Sequence, residues 1–345
     1  MEFPSIDIVS IVCGKEKLLD QWASYLRNIS GMFPNLSLIV VNNNDTSEFD
    51  DKIRERLSEL QQERGFRGIK LIQGSYACEY NPSEFRSESF ALEKHRSTAS
   101  GFRQGIDAST AEYIFTLDDD VIPPRHALYL MLKILEENSS AGAATGYYFN
   151  NSWPGVTQNN RTVCLSLDDK INCSIYQIWG QELFDVKFTG TGCALWRSEL
   201  LKNVNFDIES SPKEGVFFGP DVCMSRKIRE AGYSILCHHS ILARHYNEEG
   251  VEAGIGVEKY LKETNAKSNT LSKTNIRETF RKNSILSQFL SQKIEEILNE
   301  EPFNKNLESE IRMNLPHLFA LGPNSKAAKE KVLKQIIEFY LRYNV

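Results

Sequence analysis

The run Ala111-Glu112-Tyr113-Ile114-Phe115-Thr116-Leu117 breaks off into Asp118-Asp119-Asp120 and resumes as Val121-Ile122-Pro123-Pro124. An apolar, β-prone stretch that ends in carboxylates predicts a buried strand whose C-terminal end opens into a site. Three adjacent carboxylates repel one another, so such a tip requires a positive partner. Oxygen-only donors suit a hard divalent cation, with Mg²⁺ or Mn²⁺ the natural candidates. Mg²⁺ typically takes one or two protein carboxylates and completes its shell with water and phosphate oxygens, so a short Asp-x-Asp points to a phosphate-bearing substrate. Taken alone, the same three residues could equally make an acidic turn that caps the next helix.

The stretches before this tip have the rhythm of an α/β domain. Ile6 to Val12 reads as a first buried strand ending at Cys13-Gly14-Lys15, and Leu18, Leu19, Trp22, Tyr25 and Leu26 follow at helical spacing. Leu36 to Val41 is a second strand, ending in Asn42-Asn43-Asn44-Asp45. Two strands joined by a helix, each releasing polar residues at its C-terminal end, describe a βαβ unit with a ligand crevice at the strand tips. Asp50 to Arg64 predicts a charged helix, Ile69 to Ile72 a third strand, and Glu93 to Ala108 a helix reached through an irregular polar loop. That helix presents Lys94, His95, Arg96 and Arg103, which would either meet a diphosphate or form a solvated face.

Beyond the acidic strand the sequence predicts a helix after Pro124, a strand over Ala141 to Phe149 and an exposed loop over 150–161. Trp153 in that loop would serve as a sugar platform or pack beneath the loop. Gly190-Thr191-Gly192 forms a glycine-punctuated turn, a weak sign of backbone approach to a ligand. Phe217-Phe218-Gly219-Pro220-Asp221 leads into a helix that stops at Gly232, and position alone makes Asp221 its N-cap. Ser234 to Cys237 reads as a short strand, with His238, His239 and His245 close behind it. Past Val251 helices dominate, over 276–298 and 325–343.

Composition narrows the function classes. The 345 residues are 41% hydrophobic, enough for a real core, and the net charge of −6 argues against a nucleic-acid partner. Seven cysteines without a Cys-x-x-Cys pair favour reduced thiols and a cytoplasmic location. No basic leader and no stretch near the ~18 apolar residues of a membrane span is expected.

Five segments then align in order with one family: IVSIVCGKEKLLDQW, LSLIVVNNND, GFRQGIDASTAEYIFTLDDDVIPP, FTGTGCALWRSELL and FFGPDVCMSRKIREAGYSI. The chain resembles the GT-A superfamily of nucleotide-sugar glycosyltransferases, and within it the inverting family 2-like group. The resemblance implies a GT-A α/β fold, a Rossmann-like nucleotide-binding sandwich with a mixed central sheet, over 1–250. Residues 1–120 would be the nucleotide-binding half and 121–250 the acceptor half, followed by a C-terminal helical domain over 251–345.

It also implies roles. Asp118 and Asp120 would be the Asp-x-Asp, with Asp120 ligating Mn²⁺ or Mg²⁺, Asp118 nearer the ribose and metal shell, and His245 a third ligand in preference to His238 and His239. Val12, Cys13 and Lys15, with Asn42, Asn43 and Asn44, would border the nucleobase and ribose. Arg96, Arg103, Asp118, Asp119 and Gly192 complete the implied donor site, and Asp221 would be the general base. The implied reaction moves a hexose from a nucleotide-sugar, a UDP-sugar favoured, to a glycan, lipid-linked or protein hydroxyl, with inversion. A homo-oligomer through the C-terminal helices is a candidate assembly. The alternatives are a nucleotidyltransferase or a non-catalytic binding protein of the same fold. Two departures stand out: relatives usually carry Asp at positions 42 and 43, and Glu where Pro220 stands.

Overall fold

The computed structural model describes residues 3–253, apart from 45, 64, 76–87, 150–161, 168–172, 175–177, 179–181, 203, 207–209, 212–215, 218 and 248–249, together with 257 and 258. All but the last two belong to the first of two units into which the chain divides, Met1–Ile255 and Gly256–Val345. The Trp153 loop and the predicted helices over 276–298 and 325–343 lie outside the described residues.

The elements run β1 (Ile6–Val12), α1 (Glu16–Ser30), β2 (Leu36–Asn42), α2 (Ser47–Gln62), β3 (Gly68–Gln73), α3 (Glu88–Ala108), β4 (Tyr113–Asp118), β5 (Val121–Ile122), α4 (Ala127–Glu137) and β6 (Ala141–Tyr148). Short strands follow: β7 (Thr162–Val163), β8 (Leu165–Ser166), β9 (Cys173–Ser174), β10 (Leu183–Asp185) and β11 (Phe188–Thr189). The unit closes with β12 (Cys193–Arg197), α5 (Ser198–Leu201), β13 (Ser210–Ser211), β14 (Val216–Phe217), α6 (Pro220–Glu230) and β15 (Ser234–His245).

One mixed sheet organises these pieces, in the order β10-β15-β6-β12-β4-β1-β2-β3, with β5 paired to β15. The half built from β3, β2, β1 and β4 is all parallel, and so is the β15–β6 pair. The antiparallel β12 joins the two halves by pairing with β4 on one side and β6 on the other. Burial on both faces explains why β1 is rich in Ile and Val, with Asp7 and Ser10 its two buried polar residues. Ile6, Ile8 and Val12 face a core shared with α1, α2 and α4. On the opposite face Gly105 and Gly101 of α3 lie against Val9 and Ile11. The chain passes from β1 to β2 and β3 on one side, then crosses to β4 on the other, so the C-terminal ends of β1 and β4 border a topological switch point.

Several expected boundaries move. The helix expected from Glu93 begins at Glu88, and the one expected from Asp50 begins at Ser47. The short strand expected over Ser234 to Cys237 continues to His245, because β6, β10 and β5 successively supply partners along its length. His238 and His239 therefore sit inside the sheet rather than after it. The helix expected to start from an Asp221 cap starts from Gly219 instead, with Pro220 and Asp221 as its first two residues. Proline fits the first helical turn, where its missing N–H costs nothing, and so the cap lies two residues back, at Gly219.

Two histidines enter this core without charge. His238 meets Ser240 Oγ through Nδ1 at 2.8 Å and stacks on His239 with ring centroids 5.3 Å apart. Burial lowers His126 to about 4, and burial with the neighbouring His239 and His126 lowers His238 to about 3. The unfolded chain takes up these protons near pH 6.5 and the folded chain does not, so the stabilisation is complete above pH 6.5 and is lost as pH falls towards 4. At about 1.4 kcal/mol per pH unit of that window, His126 alone accounts for roughly 3 kcal/mol. Urea unfolding at pH 7.5 and 4.5 should show this loss, reduced in a His126→Asn/His238→Asn double variant. An equal loss in both proteins would contradict it.

Candidate active site

The acidic tip of β4 lies under the loop that follows β1. Parallel pairing sets Ile11 beside Asp118, which brings Cys13 to Lys15 over the next two carboxylates. The Cys13 N–H donates to Asp119 Oδ2 at 3.0 Å, and the Lys15 ammonium lies 3.4 Å from Asp119 Oδ1 while pairing directly with Asp120 Oδ2. Burial opposes the Lys15 charge, but Asp119 and Asp120 outweigh it and hold its pKa well above the ordinary lysine value. Burial would likewise raise Asp120, yet Lys15, joined by His245 only when its ring is protonated, overcomes it and holds Asp120 well below the usual carboxylate range. Asp118 has no such partner: burial and the Asp120 charge, with smaller pushes from Asp119 and Asp221, raise it to about 8 against the pull of Lys15. Within one tripeptide the three carboxyls thus have three different environments.

His245 arrives from the far end of β15. β5 pairs Val121 with His245, and the Tyr246 N–H donates to the Asp120 carbonyl at 2.9 Å. His245 Nδ1 lies 2.7 Å from the Phe149 carbonyl oxygen, an acceptor only, so Nδ1 carries a proton. In the neutral ring Nε2 is then the lone-pair nitrogen, and it faces Asp120 Oδ2 at 3.5 Å. A nitrogen lone pair and a carboxylate oxygen aimed at each other suit a shared cation, and the carbonyl bond to the far nitrogen is the usual way to orient a ligating histidine. Among the described residues no three His, Cys, Asp or Glu side chains gather as a metal-holding group. A partial set completed by phosphate oxygens is how Mg²⁺ is commonly held, so the Asp120–His245 pair fits such an ion, with Asp118 at the same strand tip.

Asp221 comes from the other half of the sheet. It is the second residue of α6, where burial raises its pKa and the backbone N–H groups of Val222 and its own amide restrain the rise. The bare Cα of Gly219 leaves room here, since a Cβ would sit 2.4 Å from Asp221 Oδ1 and 3.1 Å from His95 Nδ1. His95 of α3 and Asp221 therefore flank one point. The Asp221 charge reaches Asp118, Tyr148 and Cys164, so the start of α6 and the tip of β4 lie close enough to interact.

The other expected residues separate into two sets. Val12 is fully buried, and its carbonyl accepts the Asn43 N–H at 2.9 Å. Asn42 is buried and committed inward, donating to Asp50 at 3.0 Å and accepting the Asn44 N–H at 3.0 Å. Asn43 is also buried, donating to the Ser97 carbonyl at 2.8 Å. Asn44 accepts from Thr46 N–H at 2.7 Å and remains partly exposed. Arg96 is exposed on α3, one residue past His95. Arg103 is not brought to the acidic tip: its guanidinium lies 5.3 Å from the Phe206 ring centroid and 3.5 Å from the Val204 carbonyl. Gly192 sits against Asp118, but the space above it is taken by Val121 and the Tyr148 hydroxyl rather than left open.

A family model described as Glycosyl transferase family 2 matches residues 7–204, more than half of the chain. The chain belongs to glycosyl transferase family 2. Asp118 to Asp120 fall within the matched span, whereas Asp221 and His245 lie beyond it. No curated protein matches the chain. Among solved structures, the mannosyltransferase PcManGT from Pyrobaculum calidifontis, in complex with GDP-Man and Mn²⁺, is similar at 14% identity, covering 99% of this chain and 84% of that one with a TM-score of 0.42. This family 2 glycosyltransferase has the GT-A architecture, a Rossmann-like α/β sandwich around a mostly parallel sheet. Among its described residues no helix is long and apolar enough to cross a membrane.

Tyr148 and Cys164 were not found by sequence reasoning, and His95, expected as a cation for a diphosphate, lies instead beside Asp221. The Tyr148 hydroxyl accepts the Gly192 N–H at 3.1 Å, and its ring meets His245 edge-on at 5.0 Å. The available signal was positional: in Ala141-Gly-Ala-Ala-Thr-Gly-Tyr-Tyr148 bulk appears only where the strand reaches the site. Cys164 had no signal, because it lies between two-residue strands without periodicity. The close packing at Gly192 is testable. An added Cβ would stand 2.7 Å from Val121 Cγ2 and 2.9 Å from both Asp118 Oδ2 and Tyr148 Oη. Gly192→Ala should therefore cost about 1–3 kcal/mol of stability in urea unfolding, the range for overpacking. An unchanged midpoint would show that this cradle is loose.

Proposed function

We propose that the chain transfers a hexose from a nucleotide-sugar, a UDP-sugar favoured, to a hydroxyl on a glycan, lipid-linked or protein acceptor, with inversion at the anomeric carbon. The observation that carries this reading is the nearness of Asp118 and Asp221. One carboxyl stands at the tip of β4 beside the switch-point crevice, the other at the start of α6, and the first lies within the field of the second. A sugar nucleotide with its diphosphate at the β4 tip would present its anomeric carbon towards Asp221.

Each side chain then has a defined task. The Asp221 carboxylate takes the proton of the acceptor hydroxyl as that oxygen bonds to the anomeric carbon. The bond from the anomeric carbon to the diphosphate breaks, and the diphosphate leaves with the electron pair. One base on the acceptor side, opposite the leaving group, is the arrangement of an inverting displacement. Asp120 and His245, with Asp118 beside them, would hold Mn²⁺ or Mg²⁺, which when bound supplies charge neutralisation for the departing diphosphate. Cys13, Lys15 and Asn44 border the nucleotide, while Val12, Asn42 and Asn43 shape the crevice from within. His95 beside Asp221 orients the base.

Asp221→Asn should lower kcat/KM by about 10²- to 10⁴-fold while leaving the nucleotide-induced thermal shift intact. Because burial raises the Asp221 pKa above the ordinary carboxylate value, activity should rise with pH as the base loses its proton, and this acid limb should vanish in Asp221→Asn. In a thermal-shift series with UDP-, GDP-, CMP- and dTDP-sugars and Mn²⁺, the true donor at ~100 times its dissociation constant should add about 2.7 kcal/mol. An Asp221→Asn enzyme with undiminished turnover would remove the base from the mechanism.

A further inference from the structure

The cation inside the acidic tip belongs to the chain itself. Lys15 pairs with Asp120 Oδ2 and lies 3.4 Å from Asp119 Oδ1, and its side chain is only 14% exposed. Asp120 Oδ2 is also the atom that faces His245 Nε2 at 3.5 Å. The oxygen through which Asp120 would bind a divalent ion is therefore already held by an ammonium. A dication and an ammonium sharing one carboxylate oxygen in so enclosed a site repel each other strongly. An ion that bridged this oxygen and His245 Nε2 would displace Lys15.

The chain provides a place for it to go. Lys15 closes the loop after β1 and precedes α1, at the edge of the crevice where the diphosphate would lie, on a flexible four-carbon stem. We propose that Lys15 is a displaceable counter-ion, which neutralises Asp119 and Asp120 while the site holds no donor and yields Asp120 to the metal by moving onto the donor's diphosphate. This rests on the reading of the β4 tip as a metal-assisted nucleotide-sugar site. Metal without donor strands the ammonium and binds weakly. Donor without metal leaves Lys15 divided between carboxylates and phosphates. The two together satisfy every charge, so each strengthens the other by the same factor.

The test is Mn²⁺ binding to the full chain, measured by calorimetry with and without UDP or GDP, in the wild type, Lys15→Gln, Lys15→Arg and Asp120→Asn. Without nucleotide, Lys15→Gln should bind Mn²⁺ roughly tenfold more tightly than the wild type, and the gain from added nucleotide should shrink. Lys15→Arg, which keeps the charge, should resemble the wild type. Equal or weaker Mn²⁺ binding by Lys15→Gln overturns the proposal, because a merely structural lysine would give that result. Mn²⁺ binding that Asp120→Asn does not reduce would instead overturn the metal-site reading beneath it. Should Lys15→Gln fail to fold, the Nζ resonance of Lys15 in ¹⁵N-lysine-labelled wild type decides the matter. It should shift on adding Mg²⁺ and nucleotide together, and a resonance unmoved at saturation overturns the exchange.

Discussion

Like charges crowded at the end of a buried strand set the terms for the rest of this molecule. Two unit charges about 4 Å apart repel by roughly 4 kcal/mol at an effective dielectric of 20, which is comparable with the ~5–15 kcal/mol net stability of a whole domain. Asp118, Asp119 and Asp120 cannot all remain charged and unpaired there. The fold meets this constraint with parts drawn from distant stretches of chain. The β1 loop brings an amide and an ammonium to Asp119 and Asp120, β15 brings an imidazole to Asp120, and Asp118 is left to burial, which raises it to about 8.

That division explains why the sheet is mixed. A purely parallel sheet of the β3-β2-β1-β4 kind would present the acidic tip to a nucleotide but offer nothing from the opposite side. The antiparallel β12 lets a second half join at β4, and β6 and β15 beyond it carry Tyr148 and His245 to the same end of the sheet. α6 then delivers Asp221 beside α3, with Gly219 leaving room for the carboxylate. Under the proposed function, binding and chemistry would be divided between two halves joined through β12, with the substrate's reacting carbon where they meet.

The parallel half was legible in the sequence because β1, β2 and β4 are largely buried and so appear as Ile-, Val- and Leu-rich runs, each giving way to polar residues at its C-terminal end. The carboxylate triplet stood out as the abrupt polar end of such a run, although the three residues alone fitted a helix-capping turn equally well. The partners of those carboxylates were harder to read. Lys15 looks like any loop lysine until parallel pairing places it over the β4 tip. The length of β15 was underestimated because His238, His239 and His245 read as polar punctuation, whereas burial and sheet partners keep them within the strand. Asn42 and Asn43 looked like ligand contacts, yet their amides serve Asp50, Asn44 and Ser97, a role that only tertiary proximity reveals.

The central claim is that a divalent ion at the tip of β4 and the Asp221 carboxylate serve one sugar nucleotide between them. Crystals grown with Mn²⁺ and the nucleoside diphosphate test it most directly through anomalous scattering at the manganese edge. The expected result is a peak at bonding distance from the Asp120 carboxylate and the diphosphate, with Asp221 opening onto the same cavity beyond the terminal phosphate. A bound nucleotide without a peak at that tip, or one whose terminal phosphate points away from Asp221, would contradict it.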